Sequence, residues 1–282
     1  MENCAATCTT CPHACRIAPG GTGRCGARAN VGGQVVDANY GRVTSLALDP
    51  VEKKPLARWR PGSLVLSVGS YGCTMGCANC QNCSIACGRA DTVPWRPVSP
   101  KELVETALEL QARDPRVTGL AFTYNEPLCG WEYVRDAGRL AHRAGLANVL
   151  VSNGMANPPI VAELLEVLDA ANIDLKAWSD SGYRQLGGDL GCVKETIATL
   201  AACPTCHLEV TTLLVPGLVS VSDVAEMARW LAGLDPAIPY HVTRFFPAHR
   251  MAHASPTPVK EVYEAAEAAR KAGLAHVYTG NC

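Results

Sequence analysis

The sequence predicts an α/β protein in which a parallel sheet is covered by helices and preceded by a small cysteine-rich module. Three observations carry this. Beyond Gly62, short apolar runs alternate with stretches of helical periodicity through six successive βα units. The runs are nearly continuous in apolar residues, as in strands buried on both faces. Of fifteen cysteines, one tight group (residues 4–25) precedes the alternation and a second (73–87) interrupts it, while Cys129, Cys192, Cys203, Cys206 and Cys282 are scattered.

Residues 1–62 read as the cysteine-rich module and a connector. Short strands and turns are expected around Val35, Val36 and residues 40–48, with the charged stretch 49–56 as a solvated loop. Residues 63–282 read as the main domain. Its first strand is 64–68, and Ser99-Pro100 opens a helix with Leu103, Val104, Ala107, Leu108 and Leu110 at helical spacing. There follow strand 119–124, helix 131–144 closed by Gly145, strand 147–151, helix 159–168, strand 171–175 and helix 193–201. Strand 207–215, helix 223–231 with Ser222 as cap, strand 240–245, helix 258–271 and a short run at 276–278 complete the chain. Six such units suit either an open doubly wound sheet or a partial barrel, and both place ligands at the carboxyl ends of strands.

A formal net charge of −1 without long like-charge runs gives no nucleic-acid or membrane surface. No apolar leader or bilayer-length run is present, so a cytoplasmic protein is expected. In such a chain clustered cysteines point to metal rather than disulfides. Cys73-x3-Cys77-x2-Cys80 follows the first strand. Three thiolates suffice for a cubane iron–sulfur cluster with one iron free of protein ligands. A zinc site is the alternative, closed by a fourth ligand such as Cys83 or Cys87. Cys8-x2-Cys11-Pro12-His13-x-Cys15 and Cys25, separated by turn formers, suit a second metal site, zinc or iron–sulfur, in place of a core. Polar residues follow successive strands: Asn125-Glu126, Ser152-Asn153, Asp174-Leu175-Lys176 and Arg244.

The Cys73 triplet resembles the signature of radical S-adenosylmethionine (SAM) enzymes. With residues 49–56 (DPVEKKPL), Cys-Pro-His-Ala-Cys (11–15), Cys80-Gln81-Asn82, Thr123 to Pro127, Asp174 to Lys176, Glu209 to Gly217 and Arg244 to Pro247, the chain resembles the AmmeMemoRadiSam-system radical SAM enzymes. These are similar in turn to the pyruvate formate-lyase activating enzymes. The resemblance implies a partial (β/α)6 barrel of the TIM-like kind and a [4Fe–4S] cluster on Cys73, Cys77 and Cys80. It implies SAM held by Asn125 and Glu126 at the amino group, Ser152 and Asn153 near the ribose or carboxylate, and Lys176 at the carboxylate, with His241 lining the site. Reduced flavodoxin or ferredoxin would supply an electron, SAM would yield a 5′-deoxyadenosyl radical, and that radical would take hydrogen from substrate. Memo-like and AMMECR-like proteins are the implied neighbours.

Departures from the pattern are Asn79, where an aromatic usually precedes the last cluster cysteine, and Cys83, where relatives often carry tryptophan. Cys87 follows closely, and Cys282 stands where many relatives continue into a cysteine-bearing tail. Cys203-x2-Cys206 has no partner pair and reads as packing or turn structure. Two rival functions are an activase acting on a glycine of a glycyl-radical enzyme, and a non-catalytic metal or electron carrier in which Glu126 and Lys176 would be dispensable.

Overall fold

The computed structural model describes residues 4–282. The chain begins with two antiparallel hairpins. In the first, β1 (Ala6–Thr7) pairs with β2 (Arg16–Ile17); in the second, β3 (Arg28–Val31) pairs with β4 (Gln34–Asp37) across Gly32-Gly33. Both glycines have positive φ, 60° and 83°, which a tight hairpin turn requires. Next come β5 (Arg42–Val43), β6 (Ser45–Pro50), β7 (Leu64–Gly69), a single helical turn α1 (Cys83–Ala86), and β8 (Arg96–Pro97), which pairs back to β5.

The remainder alternates regularly: α2 (Pro100–Arg113), β9 (Val117–Phe122), α3 (Trp131–Arg143), β10 (Ala147–Ser152), α4 (Pro158–Leu165), β11 (Ala170–Asp174), α5 (Asp180–Leu186), α6 (Leu190–Ala201), β12 (His207–Leu214), α7 (Val221–Leu234), β13 (Tyr240–Arg244), α8 (Val259–Lys271) and β14 (Val277–Gly280). The main sheet runs β14-β13-β12-β11-β10-β9-β7-β6, all parallel except β6, which is antiparallel to β7 at the edge. Along the parallel strands the order never reverses. With right-handed crossovers every helix then falls on the same face, whereas a doubly wound sheet needs a reversal. The partial barrel is therefore the observed architecture. It stays open, because the terminal strands β14 and β6 do not pair.

Strand alternation divides the sheet. Leu66, Val68, Leu120, Phe122, Leu150, Ile173, Val210 and Val242 pack beneath the helices in the main core. On the other face Val65, Ala121, Val149 and Ala170 meet Val51 and Leu56. The stretch 49–56, expected as a solvated loop, is in fact a plug across that face. Val51 and Leu56 are fully buried, each contributing about 1.5–3 kcal/mol. Its charges are neutralised locally, since buried Lys54 Nζ donates to Asp49 at 2.8 Å. Asn172 Nδ2 donates to Pro55 O at 2.8 Å, fastening the plug to β11.

Several helices differ from expectation: α4 ends at Leu165 rather than 168, α6 begins at Leu190 rather than 193, and α1 is additional. Ser220, not Ser222, caps α7: its hydroxyl accepts from Asp223 N while Asp223 accepts from Ser220 N, a reciprocal box that Ser222, inside the helix, cannot form. The helix α5 was not expected, because seven residues give too short a periodic pattern; its markers are Ser179 as cap and Gly187 at φ 70° as terminator.

Candidate active site

The cysteine loop leaves β7 at Gly69, where a Cβ would sit 2.9 Å from Tyr124 Cβ and 3.0 Å from Thr123 O. Only glycine fits that approach. The loop is then held from several sides. Asn125 Oδ1 accepts from Ser70 N at 2.9 Å, and Asn125 Nδ2 donates to Tyr71 O and Gly72 O, each at 3.1 Å. Asn153 Oδ1 accepts from Met155 N at 2.9 Å, which fixes the side chain, while its Nδ2 donates to Thr74 Oγ1 at 3.0 Å and lies 3.6 Å from Cys73 Sγ. Gly76 N donates to Leu186 O at 2.8 Å, and Arg250 donates to Gly76 O.

Cys73, Cys77 and Cys80 are partly buried in this loop, and burial pushes all three thiols up. The Lys176 ammonium opposes that shift at each of them. Burial works against the charge on Lys176 itself, but Asp174, whose carboxylate is 2.6 Å away, and the thiols of Cys77 and Cys73 hold the ammonium above its usual range. The site thus couples three soft donors to one cation.

Glu126 is buried beside Cys73. Burial raises its carboxyl against the pull of three donors: Ser152 Oγ at 2.7 Å, Asn153 N at 2.8 Å and Leu128 N at 2.9 Å. The post-strand residues Asn125, Glu126, Ser152, Asn153 and Lys176 therefore gather at the cysteine loop. Asn125 spends its side chain on loop backbone, and Ser152 spends its hydroxyl on Glu126.

His241 belongs to another group, facing the plug. Glu209, fully buried, accepts from His207 Nε2 at 2.9 Å, His241 Nε2 at 2.6 Å, Ala57 N at 3.0 Å and Arg58 N at 2.8 Å. Burial alone would raise this carboxyl; the imidazoles and backbone donors win and lower it to about 2. The His241 ring stacks on Tyr278 at 5.2 Å.

Cys8, Cys11, Cys15 and Cys25 line one small cavity together with Cys129. Cys206 packs in the core and Cys203 turns onto Thr205, as packing and turn structure. Cys83 opens α1, Cys87 is exposed, and the exposed Cys282 thiol lies on Gly280 O.

Several residues at the site were not singled out from the sequence. Tyr124 has a left-handed φ of 73°. Its hydroxyl donates to Asp49 at 2.6 Å, Lys54 Nζ stands 4.7 Å over its ring, and Asn82 Nδ2 donates to its carbonyl at 2.7 Å. Buried charges inside the otherwise apolar-flanked string 49–56 were the available marker. Buried Cys129, whose Sγ donates to Glu126 O at 2.9 Å, and Arg28, paired with Glu132 at 2.6 and 2.7 Å, had none.

The Radical SAM superfamily domain matches residues 67–231. An uncharacterized protein of Methanocaldococcus jannaschii is 34% identical over 278 residues, spanning 97% of this chain and 80% of that one. The pyruvate formate-lyase 1-activating enzyme of Escherichia coli strain K12 is 26% identical over 179 residues, 60% of this chain and 71% of that enzyme. Among solved structures, Streptococcus suis SuiB bound to S-adenosylmethionine superposes with a TM-score of 0.57 at 11% identity, over 77% of this chain and 52% of that one, a likeness of fold. The domain match spans more than half of the chain and contains the cysteine loop together with Glu126, Asn153 and Lys176. The chain belongs to the Radical SAM superfamily and is a radical SAM enzyme.

Proposed function

We propose that Cys73, Cys77 and Cys80 hold the [4Fe–4S] cluster with one iron left for SAM, and that the enzyme takes hydrogen from a substrate admitted at the carboxyl ends of the strands. The observation that carries this is three partly buried thiols in one post-strand loop, all under the influence of Lys176. Bound there, cluster and SAM supply reductive cleavage and hydrogen-atom abstraction. Lys176 offsets thiolate charge and offers a cation to a carboxylate. Glu126 keeps a carboxylate beside Cys73 for an ammonium group. Asn153 fixes the loop at Cys73 and Thr74, and Asn125 fixes it at Ser70 to Gly72. His241, oriented by Glu209, lines the interior farther down.

The finer reading is an enzyme of the AmmeMemoRadiSam system, reduced by flavodoxin or ferredoxin and working with Memo-like and AMMECR-like proteins. Its support is that the strings carrying the resemblance occupy demanding positions: residues 49–56 plug the barrel and Asn82 holds Tyr124. A second reading, activation of a glycyl-radical enzyme, is favoured by the 26% identity to the pyruvate formate-lyase 1-activating enzyme.

The test is anaerobic reconstitution, reduction and addition of SAM, with 5′-deoxyadenosine measured beside Cys77→Ala. Product from the wild type alone is expected. A reduced cluster that fails to bind SAM would overturn the proposal. A glycine-centred radical formed on a co-encoded partner would select the activase reading.

A further inference from the structure

The N-terminal cysteines come together from separate turns. Cys8 N donates to Cys15 O at 2.9 Å across the first hairpin, and Ala14, at a left-handed φ of 42°, closes the turn onto Cys11 O. Gly26 N donates to Gly23 O at 3.0 Å, a turn that brings in Cys25. The four thiols line a cavity of about 10 Å³. Cys8 and Cys11 are only 4% and 7% exposed.

A second feature points to what fills it. Arg28 lines the same cavity with its side chain 7% exposed. Both terminal nitrogens are committed to Glu132, and its Nε is a buried donor with no acceptor. Buried donors are rarely left so. A thiolate bound to a metal is an acceptor of the right charge, and such ligands are ordinarily supported by donors from a surrounding shell.

We propose that Cys8, Cys11, Cys15 and Cys25 bind a single zinc ion as a closed tetrahedral site. Four thiolates complete the coordination of zinc and leave no position for substrate. Cys8-x2-Cys11 and Cys11-x3-Cys15 fall within the short Cys–Cys intervals of structural zinc sites, and the turn at Cys25 supplies the fourth thiolate. Among the described residues no three His, Cys, Asp or Glu side chains are yet grouped around a common ion, and that holds for Cys73, Cys77 and Cys80 as well. Binding therefore draws the turns inward, as in small modules where metal replaces core.

The site braces the cysteine loop from behind. Cys25 O accepts from Cys73 N at 3.2 Å, His13 Nε2 lies 2.8 Å from Thr74 O, and a Cβ on Gly72 would be 2.6 Å from Cys25 O. The zinc assignment stands independently of the ligands proposed for the cluster.

Metal content per chain tests it, in protein purified anaerobically from medium holding both iron and zinc. About one zinc per chain is expected in the wild type, in Cys129→Ser and in a Cys73→Ala/Cys77→Ala/Cys80→Ala variant that has lost its iron. Cys11→Ser/Cys15→Ser should lose the zinc. Should that variant fail to fold, the cobalt-substituted form of the triple alanine variant decides, because tetrahedral tetrathiolate bands are expected with the N-terminus intact. Iron retained by the triple alanine variant in place of zinc, zinc retained by the double serine variant, cobalt bound without those bands, or wild type free of zinc would each overturn the proposal. Loss of iron with zinc kept separates a failed cluster assignment from a failed zinc site.

Discussion

Replacing Asn125 by alanine separates a clamp from a ligand. The side chain accepts from Ser70 N at 2.9 Å and donates to Tyr71 O and Gly72 O at 3.1 Å. At a net value of about 1 kcal/mol per hydrogen bond, its removal should destabilise the fold by about 3 kcal/mol. For a domain of this size each kcal/mol lowers Tm by roughly 2–4 °C, so a drop of roughly 6–12 °C is expected in calorimetry of the cluster-free protein. Asn125→Asp keeps the acceptor for Ser70 N but turns a carboxylate toward two carbonyls, and should melt no higher than the alanine variant. A ligand to the SAM amino group predicts the opposite pattern: an unchanged melt and weakened SAM binding. Melting of Asn125→Ala within about 2 °C of wild type would refute the clamp.

Gly119→Ala places a Cβ against the backbone carbonyl of Ala147 on the paired strand, which cannot move aside; destabilisation of about 3 kcal/mol or more is expected, read as lost soluble yield. Arg28→Ala leaves Glu132 unpaired beside Asp37 and should lower stability by about 3 kcal/mol in denaturant titration, with Arg28→Lys only partly restoring it because one ammonium cannot replace a two-pronged guanidinium. Asp37 is pushed up to about 7 by burial and then by Glu132, so between pH 4 and 7 the folded state holds a proton that the unfolded chain has lost. Stability falls as pH rises through that window, and Asp37→Asn should flatten the slope and melt higher at pH 8. Glu209, lowered from 4.5 to about 2, acts in the reverse sense: its contribution is full above pH 4.5 and vanishes as pH falls toward 2. Glu209→Gln should therefore melt lower than wild type at pH 7 and converge with it in acid.

The barrel was legible because each parallel strand is a compact apolar run and each crossover has helical spacing. What local composition cannot show is pairing at a distance. Charges at 49–56 suggest water, yet Asp49 finds Lys54 five residues on and Tyr124 seventy-five residues on, which lets the string enter the core. At the site, position after a strand brings Asn125, Glu126, Ser152, Asn153 and Lys176 to the cysteine loop. It does not say whether the partner of each is a ligand or the backbone. Asn125 and Ser152 are occupied within the protein for that reason, and His241 is drawn to Glu209, thirty-two residues away.

Tyr124 shows how these parts depend on one another. A bulky residue at φ 73° stores about 1–3 kcal/mol of strain, so surrounding contacts must hold it there. Burial and then Asp49 push the phenol up to about 12, which keeps it protonated as a donor. Its bond to the Asp49 carboxylate, of the charged kind, contributes about 1.5–3 kcal/mol and is enough to offset the strain. The turn that aims Asn125 and Glu126 is thus set from below by the plug, through Asp49 and Lys54, and from above by Asn82 on the tyrosine carbonyl. Because Asn125 in turn holds Ser70 to Gly72, a disturbance of the plug reaches the cysteine loop through the Asp49–Tyr124 bond, the peptide bond to Asn125 and the Asn125 clamp, without touching a thiol.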